Sequence, residues 1–181
     1  MDLHADYLFT LKKHDFLFDR LVESIISQQL SVRVADVIYE RVLNLMPKKK
    51  LDPKAILKID DQTLRSAGLS FGKIKYIKDL SDKVHSGELD LNNLENLENE
   101  EVIEKLTAVK GIGKWTAEMF LMSALGRPDI FSHGDLGLKN AFKKIYDVTE
   151  YKEAEAEKIV IKWSPYRTIA ARILWKSLEL K

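Results

Sequence analysis

The sequence predicts an all-α protein, and three observations carry that expectation. Apolar residues recur at helical spacing: Ala156, Ile159, Val160 and Trp163 fall at i, i+3, i+4, i+7. Val102, Leu106 and Val109, like Leu138, Phe142 and Ile145, fall at i, i+4, i+7. No stretch shows a convincing strict alternation of apolar and polar residues, the mark of a half-buried strand. Glycine and proline are sparse, 8 and 4 of 181 residues, which disfavours a turn-rich β fold.

Read in order, the periodicity places helices over about 15–28, 31–46, 53–58, 61–67 and 71–86. Further helices are expected over about 98–108, 114–125, 135–146, 152–163 and 166–179. Leu17, Leu21 and Ile25 give the first its apolar face; Ile77, Leu80 and Val84 give the fifth its own. Asp52-Pro53 reads as an N-cap followed by a first-turn proline, which opens the third. Gly68, Gly87 and Gly126 stand where helices should stop.

Composition narrows the function. The length fits one compact unit or two small lobes, and 45% apolar residues suffice for a core. There is no cysteine, which excludes disulfides, cysteine-ligated zinc, iron–sulfur clusters and thiol nucleophiles. Four scattered histidines argue against an all-histidine metal site. The opening residues MDLHADYLFTLKKHD carry acids where a leader needs a basic and then an apolar stretch. No run approaches the ~18 apolar residues of a membrane span. A soluble monomer is expected, cytoplasmic and nucleoid-associated or nuclear, without membrane contact.

The near-neutral net charge of +1 conceals an asymmetry. Residues 88–104 hold seven acids and no base, whereas residues 105–181 hold 14 bases and nine acids. The acidic stretch reads as a solvated loop and helix start. Its concentration of negative charge permits a basic face elsewhere, as a nucleic-acid binder needs.

Chemistry concentrates in two segments. The first is Val109-Lys110-Gly111-Ile112-Gly113-Lys114-Trp115-Thr116-Ala117-Glu118. One amphipathic helix ends, a Gly-x-Gly turn follows, and a second helix opens at once. The two glycines allow positive φ and a tight backbone. The unpaired N–H groups of the second helix can receive a phosphate oxygen, with Lys110 and Lys114 alongside. A plain helical hairpin with a glycine cap accounts for the same residues. The second segment is Phe131-Ser132-His133-Gly134-Asp135-Leu136-Gly137-Leu138. Ser132 and Asp135 fit an S-x-x-D capping pattern. Asp135 can equally be a carboxylate held at a helix N-terminus, where the dipole favours negative charge. The two readings are compatible.

These two segments, in this order, resemble the helix-hairpin-helix DNA glycosylases, and among them the 3-methyladenine DNA glycosylase II branch. The resemblance extends upstream to Ile25-Ile26-Ser27-Gln28-Gln29-Leu30-Ser31. Downstream it takes in Trp163-Ser164-Pro165-Tyr166-Arg167, Ala170-Ala171-Arg172 and Trp175. It implies two helical lobes with a cleft between them. Residues about 30–126 would form one lobe, ending with the hairpin; residues about 1–29 and 127–181 would form the other. Longer family members carry an N-terminal β domain, for which this chain is too short.

The resemblance also implies a function: hydrolytic removal of alkylated purines from double-stranded DNA by a base-excision-repair enzyme. The hairpin, Gly111, Ile112 and Gly113 with Lys110 and Lys114, would grip the backbone. A Na+ or K+ could be held by hairpin carbonyls near Val109 and Gly111, and no other cofactor is implied. Asp135 matches the catalytic aspartate. Gln29 matches the residue that fills the gap left by the flipped nucleotide, with Gln28 beside it in the DNA-binding motif. Trp175 matches a tryptophan of the base pocket, where its face would attract a cationic base by ~0.5–2 kcal/mol. Trp115 is read chiefly as core and hairpin support, with the pocket as its other role. Met119 stands where a relative has tyrosine. Trp163 is read as core and His133 as a solvated loop residue. Strand-cleaving relatives use a lysine two residues after the hairpin; Trp115 occupies that position, so an enzyme without lyase activity is expected. A non-catalytic helix-hairpin-helix DNA-binding module and a glycosylase for another damaged base are the alternatives.

Overall fold

The computed structural model describes residues 10–179. Up to residue 9, the opening stretch read above for a leader pattern lies outside the described residues. Among the described residues there are ten α-helices and no strand. They are α1 Leu17–Ser27, α2 Val32–Asn44, α3 Pro53–Lys58, α4 Asp61–Ser66 and α5 Phe71–Ser86. Then follow α6 Asn99–Thr107, α7 Lys114–Ser123, α8 Leu136–Tyr146, α9 Glu153–Val160 and α10 Arg167–Ser177. Every helix expected from the periodicity is present, its ends shifted by at most a few residues. No helix among them is long and apolar enough to cross a membrane.

Helix starts are closed by side chains, as the cap residues demand. Asp52 accepts the Ala55 N–H at 2.7 Å, Asp60 that of Thr63 at 2.9 Å, and Ser70 that of Lys73 at 3.2 Å. The acidic stretch becomes a 3-10 turn, Leu91–Asn96, and the capped start of α6. There Glu98 and Glu101 form a capping box, each side chain bonding the other's backbone.

The chain forms two compact units. One is Asp15–Ala117; the described part of the other joins the residues up to His14 to those from Glu118 onward. The sequence reading drew these limits near 30 and 126; here residues 15–29 go with the middle of the chain and 118–126 with its end. The physical reason for the first difference is α1. Its buried face of Leu21, Val22, Ile25 and Ile26 packs α1 against α2 and α5, so it belongs to their core.

Within Asp15–Ala117, α5 is the central helix and packs against α1, α3 and α4. Ile74, Ile77 and Leu80 of α5 are buried, as are Ile56 of α3 and Leu64 of α4. Each such side chain contributes roughly 1.5–3 kcal/mol on burial.

In the other unit α8 packs against α10, with Leu138, Phe142 and Leu174 buried. The segment that leads into α8 is tied to the start of α10. Thr168 Oγ1 donates to the Arg127 carbonyl at 2.7 Å and accepts the Ile130 N–H at 3.0 Å. Asp129 accepts Arg167 Nε at 2.7 Å, Arg167 Nη2 at 3.0 Å and Ser164 Oγ at 2.8 Å. The motif Ser164-Pro165-Tyr166-Arg167 therefore has a structural task. The Arg167 hydrogen bonds, against some desolvation, hold the Asp129 carboxyl below its usual range.

A depressed carboxyl contributes stability above its unfolded pKa and loses it as pH falls through the folded value. Asp129→Asn should therefore lower stability at neutral pH by roughly 1.5–3 kcal/mol, the scale of hydrogen bonds to charged groups. It should also flatten the acid limb of a stability–pH curve below the ordinary carboxylate range. Chemical denaturation of both proteins from pH 7 to pH 3 measures this.

Candidate active site

The hairpin joins the end of α6 to the start of α7. α6 stops at Thr107, and α7 resumes at Lys114. Between them Val109 and Ile112 bury their side chains, 1% and 4% exposed, so the turn is anchored by side chains and presents its backbone. Of Ile112, then, only the backbone is available to a ligand. The Ile112 N–H closes the turn on the Val109 carbonyl at 3.1 Å.

The two glycines differ. Gly111 has φ +82°, and a Cβ there would stand 2.2 Å from the Tyr76 ring. It needs glycine twice over, for its backbone and for the approach of Tyr76. Gly113 is outside the left-handed region and has open space where a Cβ would be. Of the two glycines that allow positive φ, only Gly111 adopts it. The open face at Gly113 is the side of the turn that another molecule can approach.

Neighbouring helices hold the turn from two sides. Asp79 of α5 accepts the Lys110 N–H at 2.9 Å and pairs with Lys110 Nζ at 2.8 Å. Burial works to raise the Asp79 pKa, but the Lys110 hydrogen bonds and charge outweigh it and leave the carboxyl below its usual value. The Lys110 charge is thus partly spent inside the protein, where the sequence alone suggested a phosphate contact. Gln28, at the end of α1, donates Nε2 to the Gly111 carbonyl at 2.8 Å. Lys73 Nζ donates to the carbonyls of Ile26 and Gln28, both at 2.7 Å, and burial lowers its pKa. Gln29 follows, exposed and left-handed at φ 57°. Lys114 is exposed at the first position of α7. A carbonyl oxygen has two lone pairs. Val109 and Gly111 each use one in the bonds just described, which leaves each the capacity to meet a monovalent cation.

In the other unit Asp135 is the N-cap of α8. Its Oδ1 accepts the Leu138 N–H at 2.7 Å and Trp175 Nε1 of α10 at 2.8 Å. Ser132 does not serve as the cap; it is fully buried, and its Oγ donates to Glu118 Oε2 at 2.5 Å. The capping pattern thus sets the cap three positions too early, while the periodicity places the start of α8 within a residue of Leu136. Gly137 makes room for the arrangement: a Cβ there would lie 3.1 Å from both Asp135 Oδ1 and the Trp175 indole.

The remaining side chains divide. His133 is not a solvated loop residue. Its ring contacts Phe131 edge-on at 5.0 Å, Nδ1 meets the Tyr151 hydroxyl at 2.5 Å, and Nε2 meets Glu157 Oε2 at 2.8 Å. Burial, with the charges of Glu153 and Glu157, pushes the Tyr151 pKa to about 12, so this phenol stays a donor. Trp163 is half-buried against Phe131 rather than in the core. Trp115 is 48% exposed on α7, which rules out the core reading. Met119 on the same helix is half-buried. Lys73, Tyr76, Asp79 and Gly137 were not singled out in the sequence. The three on α5 are spaced i, i+3, i+6, a pattern too common on helix surfaces to mark a site.

Comparison with known proteins identifies the family. The chain belongs to the helix-hairpin-helix HhH-GPD superfamily of base excision DNA repair proteins, matched over residues 22–165. DNA-3-methyladenine glycosylase 1 of Schizosaccharomyces pombe is 32% identical over 169 residues, covering 90% of this chain and 73% of that protein. YfjP of Bacillus subtilis is 32% identical over 170 residues, and here the chain spans only 59% of the relative. Among solved structures, a DNA-3-methyladenine glycosidase from Bacillus halodurans superposes with a TM-score of 0.87 at 40% identity. That match covers 99% of this chain and 86% of the other. The S. pombe 3-methyladenine DNA glycosylase in complex with abasic DNA gives 0.80 at 29% identity, covering 99% and 93%.

The contrast between the glycines is testable. Gly111→Ala should destabilise the protein by about 1–3 kcal/mol, the cost of a strained backbone, before any clash with Tyr76 is counted. Gly113→Ala should melt like the parent yet bind undamaged duplex more weakly. Thermal melts and fluorescence anisotropy on the two variants separate the roles.

Proposed function

We propose that this protein is a DNA glycosylase that extracts an alkylated purine, of the 3-methyladenine or 7-methylguanine type, and hydrolyses its bond to the sugar. One observation carries the reading: the Asp135 carboxylate is fixed by a helix N–H and by the Trp175 indole, which is more than a helix cap needs. The hairpin supports a backbone grip through its exposed turn, the open side of Gly113, and Lys114. Phosphate contacts of this kind position the protein and do not select sequence. A Na+ or K+ shared by the Val109 and Gly111 carbonyls would add positive charge for a phosphate oxygen.

Chemically, a purine alkylated at N3 or N7 is cationic and leaves without much acid assistance. Its extraction costs a few kcal/mol, least where pairing is already damaged. The difficult charge is the one that develops on the sugar as the glycosidic bond breaks. A fixed carboxylate at that point stabilises the oxocarbenium-like transition state. Trp175 offers an aromatic face to the cationic base while its Nε1 orients Asp135, and Met119 offers a polarizable neighbour. Water completes the reaction at the sugar, leaving free base and an abasic site. No amine stands two residues after Gly113, where Trp115 lies, so no Schiff base forms there.

Asp135→Asn tests the carboxylate directly. Asparagine caps helices as well as aspartate and can still accept from Trp175, so the variant should fold and bind damaged duplex like the parent. Base release should fall more than tenfold, a step of ~1.4 kcal/mol in the barrier. A variant that keeps over a tenth of the rate would overturn the role assigned to Asp135, whereas a parent that releases no methylated base would leave a DNA-binding module without catalysis. The product assay extends the test: the strand should stay intact until alkali is added, and borohydride during turnover should trap no protein–DNA adduct.

A further inference from the structure

Three contacts at the end of α1 are not used by the reaction proposed above. Lys73 binds the carbonyls of Ile26 and Gln28. The last carbonyls of a helix lack intrahelical partners, and a lysine suits both their dipoles and their charge. The Gln28 side chain then reaches the Gly111 carbonyl, 83 residues away in sequence. Directly after this doubly held residue, Gln29 turns into the left-handed region at φ 57° with its side chain exposed. A non-glycine residue there costs of order 1–3 kcal/mol and persists only where its surroundings over-determine it. The two bonds at Gln28 supply such surroundings, one on its backbone and one on its side chain.

From the far side α5 holds the same turn, through Tyr76 against Gly111 and Asp79 on Lys110. Lys73, Tyr76 and Asp79 span about 9 Å of helix axis. A single helix therefore carries both the strained Gln28–Gln29 turn and the hairpin, and the Gln28 amide closes the circuit between them.

We propose that Gln28 is a positioning residue that locks the Gln29 turn to the hairpin, so that the hairpin's seat on the phosphates sets how deeply Gln29 enters the base stack. This rests on the glycosylase reading and on Gln29 as the residue that fills the flipped nucleotide's place. It differs from a direct DNA contact by Gln28, whose amide is committed to Gly111.

The test is a double-mutant cycle of Gln28→Met and Gln29→Ala. Methionine keeps length and bulk and removes the donor. Two readouts are followed: single-turnover release of methylated base, and fluorescence of 2-aminopurine beside an abasic analogue, which reports entry into the stack. Each single variant should lower both by about tenfold. The double variant should be no worse than Gln29→Ala alone, since coupled residues are not additive. Lys73→Met, which frees the same turn from its backbone side, should show the same dependence on Gln29. Additive losses would mean that Gln28 acts on DNA by itself and would overturn the proposal, as would an unchanged Gln28→Met or an unchanged Gln29→Ala. The fluorescence arm stands without catalysis, so a parent that releases no base sinks the glycosylase reading while the positioning role is still judged.

Discussion

The backbone of the hairpin is held in place by groups that lie outside it. A six-residue turn between two helices has few contacts of its own, and its glycines give it conformational freedom that folding must remove. Here Tyr76 fills the space a Gly111 side chain would take, Asp79 binds the next N–H back along the chain, and Gln28 takes the Gly111 carbonyl. Val109 and Ile112 sink into the core beneath. An exposed backbone surface with fixed geometry results, and a phosphate can meet it without the protein losing further entropy.

The aspartate is prepared by the same logic in the other unit. Asp135 sits at a helix start whose preceding residues are themselves pinned: Ile130, Phe131 and Ser132 are buried, and Asp129 and Ile130 are bonded to the first residues of α10. α10 also supplies Trp175, so the helix that anchors the loop delivers the indole to the carboxylate. A charge that must stabilise a short-lived transition state works best when nothing has to reorganise as it forms, and this construction provides that.

Local signals were legible in the sequence and long-range ones were not. The Asp52-Pro53 start, the turn at Gly111 and the start of α8 each follow from a few adjacent residues, and the structure has them where expected. The Ser132 cap reading failed because a buried acceptor, Glu118, competes for the hydroxyl, and burial is invisible to a four-residue pattern. Gly113 looked like Gly111 because a dipeptide context cannot say where Tyr76 lies. His133 looked solvated because its partners, Tyr151 and Glu157, are 18 and 24 residues on. The Gln28–Gly111 bond joins two segments that had both been marked for DNA, yet nothing in either suggested that they meet.

The ties between Arg127 and α10 have a consequence for how such a chain can vary. From Arg127 to Ile130 the chain is bonded at successive points to Thr168, through its backbone, and to Arg167, through the Asp129 carboxylate, and five residues later it must deliver Asp135 beside Trp175. Both ends of this stretch are thus measured against the same helix, about two turns apart along α10. One residue inserted or removed would shift the carboxylate relative to the indole, whatever its side chain. The stretch acts as a ruler, and its length is under tighter constraint than most of its letters. Changes of length are better absorbed in the turn around Lys48, where residues 47–50 are exposed and carry no such double registration.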